Sequence, residues 1–120
     1  SSAASDVYKR QHLQRAEQFI RDNLTNPNLK SQLVAESCGI SLRYLQQLFA
    51  ENEYSIIGYI RDKRLTRCDE ALKVANAATS VANIAHKWGF YDHAQFCKYY
   101  RKRFGCTPTD TRQKCRQDQF

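Results

Sequence analysis

Two stretches of this chain repeat one pattern: LVAESCGISLRYLQQLF begins at Leu33, and ANIAHKWGFYDHAQFCKYY begins at Ala82. Each reads as a short helix, a glycine turn and a second helix. The two glycines, Gly39 and Gly89, lie fifty residues apart; after them the offset becomes fifty-one, so the second turn is one residue longer. A tight turn between crossing helices favours glycine, which adopts positive φ without steric cost. The repeat therefore predicts two helix-turn-helix motifs.

Local signals define the helices of each motif. Ser41 and Asp92 stand where each second helix begins, and we expect both side chains to cap it. The inward positions of these two helices fall to Leu45 and Phe49 in the first copy and to Phe96 and Tyr100 in the second.

Apolar spacing predicts the remaining helices. The first helix carries Leu13, Ala16, Ile20 and Leu24 on one face and stops at the break Thr25–Asn28. A long helix starts at Ser55 and keeps an apolar stripe of Ile57, Ile60, Leu65, Cys68, Leu72 and Ala75 until Asn76. Thr107 and Pro108 start a short closing helix.

Sustained two-residue alternation is missing from the sequence, so we expect no sheet. The fold predicted is all-α, with two helix-turn-helix subdomains joined by a long linker helix and about seven helices in total. The boundaries are a non-native or disordered leader over 1–11, the first subdomain over 12–54, the linker over 55–76, the second subdomain over 77–116 and a tail over 117–120.

Charge favours a polyanionic partner. The formal net charge of the 120 residues is +7 and the pI is near 9.3, and a basic domain of this kind is typical of nucleic-acid binding. Residues 1–80 carry a net +2 and residues 81–120 a net +5. Much of this excess lies on or just beyond the last helix of the second motif. These basic residues could alternatively form a solubilising surface. Their position on the helix that the motif predicts to enter a DNA groove favours phosphate binding instead.

Several classes of site are disfavoured. The five cysteines are odd in number and form no C-x-x-C pair, so we expect neither a zinc cage nor a disulfide framework and infer a reduced, cytoplasmic protein. We expect no metal and no cofactor. No grouping of nucleophile, base and orienting residue points to an enzyme. The sequence also lacks an apolar run long enough to span a membrane.

The stretch from about Leu13 to Arg112 resembles the C-terminal DNA-binding domain of the AraC/XylS family of transcription regulators. The family pattern appears here as Tyr44-Leu45 with Leu48-Phe49, as Arg64-Leu65 with Leu72, and as Gly89-Phe90, Phe96, Tyr100, Phe104-Gly105 and Thr107-Pro108. Three positions depart from it. Tyr54 replaces a small residue, Tyr100 replaces phenylalanine, and Thr111 replaces an aromatic residue, a change that we expect to loosen the closing helix.

Helix geometry nominates the side chains that read bases. On the first recognition helix the face opposite the core carries Arg43, Gln46 and Gln47, and on the second it carries His93, Ala94, Cys97 and Lys98. Arg can bond guanine through two parallel hydrogen bonds, Gln can do the same with adenine, and Ala can touch a thymine methyl group. For each of these residues, simple solvation is the alternative role.

A second set is expected to contact the DNA backbone, which fixes position without specifying sequence. Its members are hydroxyl, cap and basic side chains: Ser41, Tyr44, Arg61, Asp92, Arg101, Lys102, Arg103 and Arg112.

These observations predict sequence-specific binding of double-stranded promoter DNA by a bacterial transcription regulator, with both recognition helices in adjacent major-groove segments of an asymmetric site. A helical protein-interaction module without DNA binding is the alternative. The resemblance implies an activator that contacts RNA polymerase and associates with the nucleoid when bound. The sequence has no methionine, including an initiator, which favours a fragment of a longer protein. We expect this fragment to be monomeric, and the resemblance implies that the full-length regulator dimerises through a separate effector domain.

Overall fold

The computed structural model of the chain describes residues 3–74 and 78–117, with side chains described as far as residue 114. Within these ranges the structure consists of seven α-helices joined by turns, without a strand. The helices are α1 (Ala3–Asp22), α2 (Ser31–Cys38), α3 (Leu42–Glu51), α4 (Ile56–Leu72), α5 (Val81–Lys87), α6 (His93–Phe104) and α7 (Pro108–Gln117). The predicted all-α fold with two helix-turn-helix motifs is confirmed.

Contacts divide the chain into two compact units, and the division falls inside α4, between Arg61 and Asp62. In unit 1, α1 packs against both helices of the first motif. Its core contains Ala16 and Ile20 from α1, Val34 from α2, and Leu45 and Phe49 from α3, all fully buried. The inward positions predicted for α3 are in this core, and so are Ala16, Ile20 and Leu24 of the apolar stripe predicted for the first helix, whereas Leu13 is half-buried.

Unit 2 has its own core around the second motif. Leu65, Cys68 and Leu72 of α4 meet Ile84 of α5 and Phe96 of α6, with Ala85 and Tyr100 in the same cluster. Burial raises the pKa of the Cys68 thiol to about 12, because the thiolate would lose its hydration there. Cys38, Cys68, Cys97 and Cys106, the four cysteines whose side chains are described, are all free thiols.

The start of α1 differs from the sequence prediction. Residues 3–11, expected to belong to a disordered leader, are helical. Asp6 lies in the first turn, where a negative charge is favourable, and the Lys9 ammonium lies 3.4 Å from the Glu51 carboxylate at the end of α3. Val7 and Tyr8 are exposed, so the apolar residues of this part of the helix, although they lie at helical spacing, do not join the core.

The linker helix also differs in register at its first turn. Ile57, predicted to face inward, is 67% exposed, whereas Ile56 is 4% exposed and packs inward with Tyr59 and Ile60. The spacing from Ile57 to Ile60 fits a helical face as well as the spacing from Ile56 does, and tertiary packing decides between them. The helix ends at Leu72; Ala75 and Asn76, placed at its end by the sequence, lie outside the described residues.

Thr111, where we expected a looser closing helix, is packed and hydrogen-bonded. It is buried in α7, and its hydroxyl oxygen lies 2.6 Å from the Tyr100 hydroxyl oxygen and 3.3 Å from Cys106 Sγ. The Tyr100 hydroxyl donates to the Asp69 carboxylate over 2.8 Å. Tyrosine has one hydroxyl proton and the carboxylate only accepts, so Thr111 donates to Tyr100. Two of the three departures from the family pattern, Tyr100 and Thr111, thus form one hydrogen-bonded pair.

Candidate nucleic-acid interface

The two turns have matching backbone geometry up to the residue after the glycine. Gly39 has φ +68° and Gly89 has φ +94°. The next amide returns to the first helix of the motif in both: Ile40 N–H donates to the Ala35 carbonyl over 3.1 Å, and Phe90 N–H donates to the Ala85 carbonyl over 2.9 Å. This bond closes the end of each first helix and fixes the direction in which the chain leaves it.

The second turn has a further constraint. A Cβ atom built on Gly89 would lie 2.7–2.9 Å from atoms of the Arg64 guanidinium, whereas one on Gly39 would meet nothing within 4 Å. Burial lowers the pKa of Arg64, and the neighbouring Tyr91 opposes that change. Gly89 is therefore favoured by its backbone conformation, and the absence of a side chain also leaves room for the end of Arg64 from α4.

Both recognition helices begin at the caps that the sequence predicted. Ser41 Oγ accepts from Tyr44 N–H over 3.0 Å, and Asp92 Oδ1 accepts from Gln95 N–H over 3.1 Å. Each cap satisfies one of the amides that a helix start leaves without an intrahelical partner.

The outer face of α3 carries the predicted polar set. Arg43, Gln46 and Gln47 are exposed, while Leu45 and Leu48 on the opposite face are buried. At about 100° per residue, Arg43 and Gln47 share one direction and Gln46 lies to one side. Arg43 and Gln47 therefore present two groups that can each make paired hydrogen bonds to a base edge.

The outer face of α6 is more basic. Ala94, Lys98 and Arg101 are exposed and share one direction at spacings of four and three residues, with Lys102 beside them. His93 is exposed and Cys97 is half-buried, and Cys97 Sγ lies 3.5 Å from His93 Nε2. These two side chains lie nearer the edge of the core than the basic row does.

The predicted backbone-contacting residues fall into different environments. Arg101 and Lys102 are exposed on α6, Tyr44 is half-buried with its ring edge-on to His12 at 5.5 Å between centroids, and Arg61 is half-buried. Arg103 is ion-paired with Asp62, and its guanidinium lies 4.9 Å from the Phe104 ring centroid.

Arg112 does not occupy a surface position. It is 9% exposed, and its Nη1 donates to the Thr79 carbonyl over 2.6 Å. A guanidinium held in this way cannot reach a phosphate without breaking the contact between α7 and the segment before α5. The positive charge of Arg112 predicted a phosphate contact, but in the structure its guanidinium binds the Thr79 carbonyl within unit 2.

Sequence reasoning passed over Tyr91 and His86. Tyr91 is an exposed aromatic residue in the second turn, and its ring meets that of His86 edge-on, with 4.8 Å between centroids. The signal available was the change of offset from fifty to fifty-one, which marks an extra residue in this turn.

Across the described residues, no group of three or more histidine, cysteine or carboxylate side chains could hold a metal ion. In the same part of the chain, no helix combines the length and apolarity needed to cross a membrane.

A family model for a helix-turn-helix domain matches residues 34–114. A crystal structure from Chromobacterium violaceum, described as an AraC-type DNA-binding domain-containing regulator, matches with a TM-score of 0.82 at 26% identity, over 92% of this chain and 97% of that one. The chain belongs to the AraC family of DNA-binding transcription regulators. A probable AraC family regulator from Rhodopseudomonas palustris also matches, with a TM-score of 0.81 at 26% identity over 88% of this chain and 98% of that one.

Relatives among known regulators are longer. The transcriptional activator RhrA of Rhizobium meliloti is 30% identical over 93 residues, which cover 78% of this chain and 30% of RhrA. The XylDLEGF operon transcriptional activator of Pseudomonas putida is 32% identical over 107 residues, which cover 88% of this chain and 33% of that protein. The chain therefore spans about a third of the length of these two relatives, and the AraC family is one of regulators rather than of enzymes.

Proposed function

We propose that this AraC family domain binds double-stranded promoter DNA sequence-specifically, with α3 and α6 each in the major groove. The observation that carries the proposal is the pair of capped helices with exposed polar faces, each following a glycine turn of the same form. A helix presented in this way is the reading element of helix-turn-helix proteins.

The two faces differ in chemistry, so the two helices are expected to contribute differently. Arg43, Gln46 and Gln47 on α3 offer groups for direct readout of guanine and adenine. The α6 face offers Lys98, Arg101 and Lys102, whose charges favour phosphate contacts that do not depend on sequence. We therefore propose that α3 supplies most of the discrimination and α6 most of the electrostatic affinity, with His93 and Ala94 adding base contacts.

An asymmetric site follows from the same difference. Two unlike recognition helices in one chain need two unlike DNA segments, which we propose lie in adjacent major-groove windows. The relatives RhrA and the XylDLEGF regulator are activators by name. We propose activation for the whole protein here too, through contact with RNA polymerase in the cytoplasm.

Selection of bound duplexes from a random pool, followed by footprinting on the winning sequence, tests this proposal. We expect an enriched, non-palindromic site with two protected windows. Binding without enrichment would leave a non-specific polyanion binder, and protection of one window would remove one of the two helices from the groove. If no duplex is retained at modest ionic strength, the helical protein-interaction module becomes the better reading.

Substitution of Lys102 tests the electrostatic part. Lys102→Ala should weaken binding to the selected site and to a scrambled duplex by the same factor and lower the slope of log K against log salt by about 0.9. Arg10→Ala is the charge-matched control, because Arg10 is exposed on α1 and belongs to neither motif. An equal change of slope in both variants would show that Lys102 acts only through overall charge.

A further inference from the structure

The second turn contains one residue that the first turn lacks, and the structure identifies it. Ile40 and Phe90 are equivalent, since each amide bonds to the carbonyl of the matching alanine in the preceding helix. Ser41 and Asp92 are equivalent as caps of the recognition helices. Ile40 is followed directly by its cap, whereas Tyr91 stands between Phe90 and Asp92. Tyr91 is the insertion.

An inserted residue of this size is not there to fill the core. Tyr91 is 58% exposed, and the cluster of buried residues in unit 2 does not include it. Single exposed aromatic residues are ordinary on protein surfaces, so exposure alone assigns no role. What distinguishes this one is its place, immediately before the cap of α6.

The ring also packs against a second ring. His86 on α5 meets it edge-on at 4.8 Å between centroids. The Arg64 guanidinium lies against Gly89, two residues before Tyr91. An aromatic side chain that already has a packing partner loses less conformational entropy when it makes a further contact than one without a partner does.

The N-terminal end of a recognition helix is the part that lies closest to the duplex in helix-turn-helix complexes. Tyrosine hydroxyls are among the side-chain groups that bond phosphate oxygens there. We propose that the Tyr91 hydroxyl donates a hydrogen bond to a backbone phosphate beside the groove that α6 enters, and that His86 is a positioning residue for the Tyr91 ring. This inference rests on the proposed DNA-binding function.

Tyr91→Phe tests the contact, because it removes the hydroxyl and keeps the ring. Titration against the selected site and a scrambled duplex should show affinity reduced by about 10- to 150-fold on both, the range for one hydrogen bond to a charged group. The ratio of the two affinities and the salt slope should stay unchanged, since a phosphate carries no sequence information and no protein charge is lost. Tyr8→Phe is the matched control, as Tyr8 is an exposed tyrosine on α1, and its binding should equal that of the wild type.

The role of His86 needs a double variant. His86→Ala should weaken binding only through Tyr91, so His86→Ala combined with Tyr91→Phe should bind as Tyr91→Phe does alone. Additive losses would show that His86 contacts DNA itself and would remove its positioning role. Urea titration of Tyr91→Phe should match the wild type, which excludes a folding defect.

Two results overturn the Tyr91 contact without touching the proposed function. Wild-type protein that binds DNA while Tyr91→Phe binds with the same affinity would show that the hydroxyl makes no contact. A loss confined to the selected site would make Tyr91 a base-reading residue instead. Failure of the wild type to bind any duplex would sink the proposed function itself.

Discussion

Replacing Tyr100 with phenylalanine should destabilise unit 2 even though it restores the residue commoner in the AraC family. The Tyr100 hydroxyl is buried and makes two hydrogen bonds, to the Asp69 carboxylate at 2.8 Å and to Thr111 at 2.6 Å. Burial is the main reason that the pKa of Tyr100 is raised, so the hydroxyl stays protonated and can donate.

The expected magnitude follows from what the substitution leaves behind. A net hydrogen bond between neutral groups contributes about 0.5 to 1.5 kcal/mol and one to a charged group about 1.5 to 3 kcal/mol. Asp69 keeps its ion pair with Lys73 at 2.9 Å, and Thr111 keeps two weaker contacts, to Cys106 Sγ at 3.3 Å and to the Thr107 carbonyl at 3.4 Å. Partial compensation at Asp69 puts the loss for Tyr100→Phe at about 1.5 to 3 kcal/mol in the free energy of unfolding.

Urea unfolding followed by far-ultraviolet circular dichroism measures this loss, with Tyr8→Phe as the control for an exposed hydroxyl. Thr111→Val and the double variant with Tyr100→Phe complete a cycle, and we expect a coupling energy of at least about 0.5 kcal/mol between the two positions. A loss below about 0.5 kcal/mol for Tyr100→Phe, or additive single losses, would refute the hydrogen-bonded pair as a stabilising contact.

Three further perturbations follow from the structure. Gly39→Ala and Gly89→Ala should each cost about 1 to 2 kcal/mol because of their positive φ, since the Arg64 guanidinium beside Gly89 is the end of a flexible side chain and can move aside; a much larger loss for Gly89→Ala in urea titrations would show that Arg64 cannot move. The unfolded Cys68 thiol ionises near pH 9 and the folded one near 12, so stability should fall as pH rises from 9 towards 12. Cys68→Val should reduce this fall without removing it, because the raised pKa of the buried Tyr100 hydroxyl acts in the same direction. Arg43→Ala should lose about 1 to 3 kcal/mol mainly on the selected site; gel-shift titrations in which its affinity ratio to scrambled DNA is unchanged would remove Arg43 from base reading.

The features that sequence predicted best are those set by local chemistry. Two such features are the positive φ of Gly39 and Gly89 and the helix caps at Ser41 and Asp92. Each depends on a few adjacent residues, so the sequence alone predicts it. The core of each recognition helix was equally readable, because a 3.6-residue period leaves one face for the apolar side chains.

Features decided by tertiary contact were not readable. Ile56 and Ile57 are adjacent isoleucines, and only packing decides that the first is buried and the second exposed. Residues 1–11 are set apart as a leader in the sequence prediction, which therefore does not use the helical spacing of Ala4, Val7 and Tyr8. The family pattern predicts that Thr111 loosens the closing helix, because its hydrogen-bond partner, the hydroxyl of Tyr100, lies eleven residues away in sequence and no local pattern links the two.

The same limitation of sequence affects the positive charge of unit 2, and it changes what a salt titration should show. Sequence does not show which basic residues are free to bind DNA and which have partners within the protein. Arg112 donates to the Thr79 carbonyl, and Arg103 is ion-paired with Asp62. Arg112→Ala should therefore lower the free energy of unfolding by about 1 kcal/mol or more while leaving the salt slope of DNA binding close to that of the wild type. Lys102→Ala should do the reverse, lowering the slope without changing stability. If Arg112→Ala reduces the slope as much as Lys102→Ala does, Arg112 leaves its internal position to bind phosphate. Arg112 would then belong with Lys102 among the DNA-binding residues and not among the structural ones.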